Sequence, residues 1–201
     1  MFRDELVNLF PEDPNAQRLA RQSFLLAEFL RKVVPGYKPR HIAQRTLLHG
    51  HCHHKAIATI EDEEALMRDV SADVGVLDAG CCGMPGSFGF EGNHCDMSMQ
   101  VGELVLLPAV REAPVDTLII ADGFSCREQI AHGTGRRAVH LAQALQMALV
   151  DASGCGSSPV EDGILPPRRS EFWPRELAAT ALISVGIAAG VFAIWRGRQR
   201  S

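Results

Sequence analysis

The sequence predicts an α/β fold: a small, mostly parallel sheet with flanking helices, followed by an apolar helix near the C-terminus. Three observations predict it. Short apolar runs alternate with helical stretches between residues 41 and 150. Nineteen consecutive uncharged residues stand at 177–195. The 201 residues are 46% hydrophobic and 22% charged, which is the composition of one globular domain with attachments and not of a disordered chain. The formal charge of −4, with no long basic run before residue 160, excludes a dedicated nucleic-acid binder, whose affinity rests on neutralising phosphates.

Residues 1–40 read as an N-terminal helical segment. Asp13-Pro14 has the cap-then-proline form that opens a helix. Leu19, Leu26, Phe29, Leu30 and Val33 recur at helical spacing, and Pro35-Gly36 ends the run. Residues 41–150 hold expected strands at 46–49, 74–78, 117–121 and 138–141, and expected helices at 62–70, 93–112, 125–132 and 141–150. This order implies Rossmann-like layers. Pro108 should bend or end the 93–112 helix. Residues 151–175, rich in Gly, Ser, Pro and charge, read as a linker, with Cys155 an uninvolved thiol.

Residues 176–196 are the expected transmembrane helix. Its 19 uncharged residues would extend about 28 Å, close to the ~30 Å hydrocarbon core of a bilayer. Trp173 and Trp195 bracket the stretch as interfacial aromatics do. Gly186 and Gly190 form a GxxxG pair that permits close helix contact and self-association. An Ala-rich helix buried against a partner protein is the other reading. Arg168, Arg169 and Arg175 on one side balance Arg196, Arg198 and Arg200 on the other, so orientation is not set. Residues 197–201 form a basic tail. The N-terminus has no signal-peptide core, so the cysteine-bearing part is expected to be cytoplasmic and held at the membrane by this single helix.

Of the six cysteines, four follow expected strands. The first strand runs into His49-Gly50-His51-Cys52-His53-His54, the second into Gly80-Cys81-Cys82-Gly83, the third into Asp122-Gly123-Phe124-Ser125-Cys126. In an open parallel sheet the carboxyl ends of the strands share one edge, where ligands bind, so Cys52, Cys81, Cys82 and Cys126 should converge. In a reducing compartment such cysteines bind metals or act in redox chemistry in preference to forming disulfides. Ser125-Cys126-Arg127-Glu128 has the form of a capping box, which would make Cys126 the first helical residue and favour its thiolate. Arg127 either reinforces that thiolate or is a solvated surface charge. Glycines at 80, 83, 86, 89 and 92 are expected to let the backbone wrap a site, or to mark an ordinary loop. Adjacent Cys81 and Cys82 suit a polynuclear site, because a single tetrahedral zinc prefers wider cysteine spacing. His51 and His53 are assigned hydrogen bonds to thiolates. His94, His132 and His140 are read as structural or solvated, and Cys95 as a bystander.

HGHCHHKA, GCCGMPGSFGFE and ADGFSCREQI followed by GTGRRAVHLAQ resemble one cysteine-rich "CCG" domain. Such domains occur at the C-terminal end of FAD-linked D-lactate or 2-hydroxyacid dehydrogenases fused to iron–sulfur modules, in the iron–sulfur subunit of glycolate oxidase and in the cysteine-rich subunit of heterodisulfide reductase. The resemblance covers about residues 1–150. It implies an α/β domain, usually present in two copies, that ligates an iron–sulfur cluster and relays electrons. The usual pattern ends in C-x-x-C, and here Gly123 stands where its first Cys would be. The remaining cysteines 52, 81, 82 and 126 match the number a 4Fe–4S cluster needs. On this resemblance Gly80, Gly83, Ser125 and Arg127 shape the cluster loop.

No ferredoxin-type cysteine run and no segment long enough for a flavin domain is present. FAD is therefore expected only on a partner or a part missing from this chain. The chain is expected to be a detached or truncated C-terminal part, inactive alone, working with a flavoprotein and a further iron–sulfur part of the same complex. Two other readings stay open. One is a zinc-binding or structural docking domain that has lost the cluster. The other is a thiol enzyme with Cys81 or Cys126 as nucleophile.

Overall fold

The computed structural model describes residues 1–150 and 160–166. Met1–Leu165 form one compact unit. The expected membrane helix at 176–196, with Trp173, Trp195, Gly186 and Gly190, lies outside the described residues, as do Cys155 and the basic tail. Among the described residues no helix is long and apolar enough to cross a membrane.

Three strands, β1 (Thr46–His49), β2 (Val74–Val76) and β3 (Leu118–Ala121), form a parallel sheet in the order β2-β1-β3. Thr46 pairs with Val74 on one side and with Leu118 on the other. β3 is buried along its whole length, as its continuous apolar run LIIA requires. The fourth expected strand, at 138–141, is reduced to a single parallel bridge between Ile120 and Val139. Its growth stops because helix α9 (Leu141–Val150) begins at once, with the Leu141 N–H donating to Asp122 Oδ1 at 2.8 Å. β2 is shorter than the expected 74–78, although the Leu77 N–H still donates to the Leu48 carbonyl.

The N-terminal segment is three helices, α1 (Glu5–Leu9), α2 (Pro14–Gln22) and α3 (Leu26–Lys32), and not one continuous run. Asp13 caps α2 as its sequence implies, accepting from the Asn15 N–H at 2.7 Å. Extended backbone at Ser23 and Leu25 separates α2 from α3. Helix α4 (Cys52–Ile57) follows β1, where the sequence pattern predicts no helix. Helix α5 (Glu61–Val70) matches its expected position. The 93–112 segment divides into α6 (Cys95–Gly102) and α7 (Leu106–Glu112). The break precedes Pro108, which sits in the first turn of α7, where its missing N–H has no intrahelical partner to lose. Helix α8 (Phe124–Thr134) ends on Gly135 in the left-handed conformation at φ +74°.

The sheet divides two apolar cores. Leu48, Leu118 and Ile120 point to one side and pack with Leu66, Met67 and Leu141. Ile119 and Ala121 point to the other and pack with Leu106, Leu107 and Ile130, and Cys82 and Cys126 belong to this second core. Each large side chain so buried contributes about 1.5–3 kcal/mol. The single turn of 3₁₀-helix at Val160–Gly163 is tied to the unit by Glu161, whose fully buried carboxylate accepts from Arg136 Nε at 2.7 Å and Nη2 at 3.2 Å. Arg136 also donates to the Thr117 carbonyl at 2.6 Å.

Candidate functional site

The shared carboxyl edge of β2, β1 and β3 delivers three groups of residues to one place. Cys52 is the first residue of α4, with His51 as its N-cap. Cys81 and Cys82 lie in the loop after β2. Cys126 stands in the first turn of α8. The thiols form a connected row in which Cys52 acts on Cys81, Cys81 on Cys82, and Cys82 on Cys126. Among the described residues no three His, Cys, Asp or Glu side chains surround one point as the ligands of a single metal ion do.

The hydrogen bond from Cys126 holds the Cys82 thiol down at about 6, and the Met84 N–H adds to the effect. The same bond, together with burial, pushes the Cys126 thiol far up. Burial also raises Cys81, against the Gly83 N–H, which donates to its sulfur at 3.3 Å. The expected thiolate at the start of a helix is thus corrected. Gly123, not Ser125, is the N-cap, the helix begins at Phe124, and Ser125 makes no capping hydrogen bond. Residue 123 has no room for a side chain: a Cβ there would lie 2.7 Å from His51 Cδ2 and 2.9 Å from Cys126 Sγ. Cys126 therefore falls deeper in the first turn than the first helical position, and the acidic thiol of the row is Cys82.

Arg127 is neither a solvated charge nor a neighbour bonded to a sulfur. Its Nη1 donates to the Ala121 carbonyl at 3.0 Å and the Asp122 carbonyl at 2.7 Å, which braces the turn from β3 into α8. Of the repeated glycines, Gly83 is the most tightly constrained. Its φ is +91°, and a Cβ there would come within 2.0 Å of the Ser98 carbonyl. Gly80 faces open space. Gln129, buried on α8, donates to the Ser98 carbonyl at 2.9 Å and so fixes that carbonyl opposite Gly83. His51 is half-buried beside Gly123, while His53 is exposed. His94 stacks on Phe88 at 4.2 Å, His132 is exposed and His140 accepts from the Ala142 N–H, in keeping with structural or solvated roles. Cys95 is exposed.

Two residues have no place in the sequence-derived site. His49, at the end of β1, is 1% exposed, and neither ring nitrogen has a hydrogen-bond partner. Burial lowers its pKa to about 4, which keeps the ring neutral. Glu63 on α5 is equally buried. His54 Nδ1 approaches its Oε2 to 3.4 Å, without the geometry of a hydrogen bond, and neither carboxylate oxygen has another partner. Burial raises the Glu63 pKa to about 8. Glu63 lines a cavity of about 350 Å³ together with His51, His53, His54, Asp122 and His140. Both residues carry a signal in the sequence. His49 is two residues from Leu47 in a strand, and Glu63 shares the i, i+3, i+4, i+7 stripe of Leu66, Met67 and Val70.

No family model and no solved structure matches the chain. Over 82 residues it is 32% identical to D-2-hydroxyglutarate dehydrogenase of Pantoea ananatis (strain AJ13355), a match covering 41% of this chain and 8% of that protein. Over 106 residues it is 31% identical to a subunit of the anaerobic glycerol-3-phosphate dehydrogenase of Escherichia coli (strain K12), covering 50% of this chain and 26% of that subunit. The D-2-hydroxyglutarate dehydrogenase of the same strain is 35% identical over 69 residues, covering 34% of this chain and 7% of that protein. The chain thus spans about a quarter or less of the curated relatives it matches. Part of this chain is similar to parts of oxidoreductases, two of them D-2-hydroxyglutarate dehydrogenases and one a dehydrogenase subunit.

Proposed function

We propose that residues 41–150 form a cysteine-rich domain that holds an iron–sulfur cluster, of the 4Fe–4S type, through Cys52, Cys81, Cys82 and Cys126. It serves as the electron-transfer module of an oxidoreductase acting on 2-hydroxyacids, and the FAD and further iron–sulfur centres of that enzyme reside on a partner or on parts outside this chain. The observation that carries the reading is the connected row of thiols, drawn from three strand ends onto one edge of the sheet. Adjacent Cys81 and Cys82 suit a polynuclear group better than one tetrahedral zinc, which prefers wider cysteine spacing. N–H groups of Gly83 and Met84 directed at sulfur favour thiolates, the form in which cysteine binds iron. The dehydrogenase relatives support the oxidoreductase setting.

Such a cluster, when bound, takes up and releases single electrons. The chain's own residues set its surroundings. Gly83 and Gln129 hold the Cys81-Cys82 loop against α6, Gly123 leaves room for Cys126 and His51, and Arg127 fixes the turn that presents Cys126. The burial of Cys82 and Cys126 keeps water from their sulfurs.

Anaerobic purification of the full chain tests this. About four iron and four acid-labile sulfide per chain are expected, with both lost in Cys82→Ser and Cys126→Ser. Zinc without sulfide would replace this reading with a structural domain. Attachment to a membrane through residues 176–196 belongs to the same proposal. The chain should then stay in the membrane pellet after an alkaline carbonate wash, and release into the supernatant would remove that part.

A further inference from the structure

We infer that the His49 imidazole donates a hydrogen bond to a sulfur of the iron–sulfur group and so raises its reduction potential. The inference rests on the function proposed above.

β1 is the middle strand, so both sides of His49 are walled by neighbouring chain. His49 pairs with Ala121 on β3. Paired residues in a sheet point to the same face, and side chains alternate along a strand. Ala121 belongs to the core that contains Cys82 and Cys126, and Leu47, two residues before His49, packs against that same core. Leu48, between them, belongs to the opposite core. His49 therefore faces the side of the sheet that carries the buried thiols.

There its ring is almost wholly enclosed, at 1% exposure, and neither nitrogen has a protein partner, sulfur atoms included. A buried polar group left unbonded costs about 1–3 kcal/mol, and buried polar groups in folded proteins almost always have a partner. Leu47, Ile119 and Ala121 on this face offer only carbon, and neither Lys55 nor His51, whose charges act on the ring, is hydrogen-bonded to it. A neutral imidazole carries one N–H donor. The sulfide and thiolate sulfurs of a group held by Cys52, Cys81, Cys82 and Cys126 would be acceptors of the kind that donor lacks. Reduction adds negative charge to those sulfurs, so the bond strengthens in the reduced form and favours it. His51 and His53 are solvent-accessible and have water to satisfy them.

The test uses the full chain, purified anaerobically with ¹⁵N only in histidine. The reduced protein should show a weak ¹⁵N coupling in pulsed electron paramagnetic resonance. The coupling should persist in His51→Ala and His53→Ala and vanish in His49→Gln. The potential should fall in His49→Leu and recover in part in His49→Gln, whose amide restores a donor, with iron and sulfide unchanged in both. Coupling that survives His49→Gln, or a wild-type potential in His49→Leu, would overturn the inference. If His49→Leu does not fold, the labelled wild type, His51→Ala, His53→Ala and His49→Gln decide the matter by themselves. Absence of iron and sulfide from the wild type is a different failure: it overturns the underlying reading and this inference with it.

Discussion

At Glu63 the buried stripe of α5 and its acidic first turn fall on the same position. The consequence is a dependence of stability on pH whose sign follows from burial. The folded carboxyl keeps its proton up to about 8, whereas the usual value is 4.5. Between those limits the folded state binds more protons than the unfolded state, so this group's contribution falls as pH rises and levels off above 8. The expected size is roughly 2–4 kcal/mol. Cys82 acts in the opposite sense, because its thiol is lowered from 9 to about 6 and its contribution grows as pH rises above 6. The comparison that isolates Glu63 is therefore wild type against Glu63→Gln, unfolded in urea between pH 5 and 8. The variant should gain stability relative to wild type as pH increases, and parallel curves would refute the assignment. Glu63 is legible from helical period, but four adjacent acidic residues also read as a solvated helix start, and that pattern masks it. His49 is hidden in a different way. It stands among three more histidines with no sign of which one the sheet encloses, until alternation from Leu47 is applied.

Between elements, a two-pronged polar tie runs from Arg136, after α8, to Glu161 in the 3₁₀ turn. The Glu161 side chain is fully buried and that of Arg136 largely so, with relative exposures of 0% and 12%. Removing one partner leaves a charge enclosed without compensation, so Glu161→Ala should cost about 3–5 kcal/mol in urea unfolding. Arg136→Met combined with Glu161→Leu should cost much less than the single change. A loss under about 1 kcal/mol for Glu161→Ala would show that water replaces the pair. Neither residue is visible in the sequence as a partner of the other, since 25 positions separate them and no local pattern couples them. β1, β3, α5 and α9 are legible because apolar period and propensity agree there. Ends are not. Ser125 has the look of a cap at the start of α8, while the space beside His51 and Cys126 requires a residue without a side chain at 123, two positions earlier. α4 is obscured because its histidines and cysteine suggest ligands more strongly than they suggest a helix.

For the molecule as a whole, the convergence of three strand ends can be anticipated from sequence, because parallel strands joined by helices must expose their carboxyl ends on one edge. The order in which the sulfurs touch cannot, because it depends on which strand takes the centre. That centre is β1, the earliest of the three in the chain, and both of its neighbours come later. Completion of the cysteine row therefore needs two separate dockings, one on each side of β1. Parallel pairing needs a crossover on each side, and distant contacts form slowly. Cys52 is present from the start, yet it has no correct sulfur to meet until β2 has docked. Cys126 joins only once β3 has closed the other side. During that interval the thiols are unshielded, and any bond among them made by an oxidant would fix a partial sheet. The finished fold, by contrast, buries Cys82 and Cys126 in its core. Cys82 and Cys126 are therefore most open to oxidation while the chain is folding, and that exposure ends when the last strand takes its place.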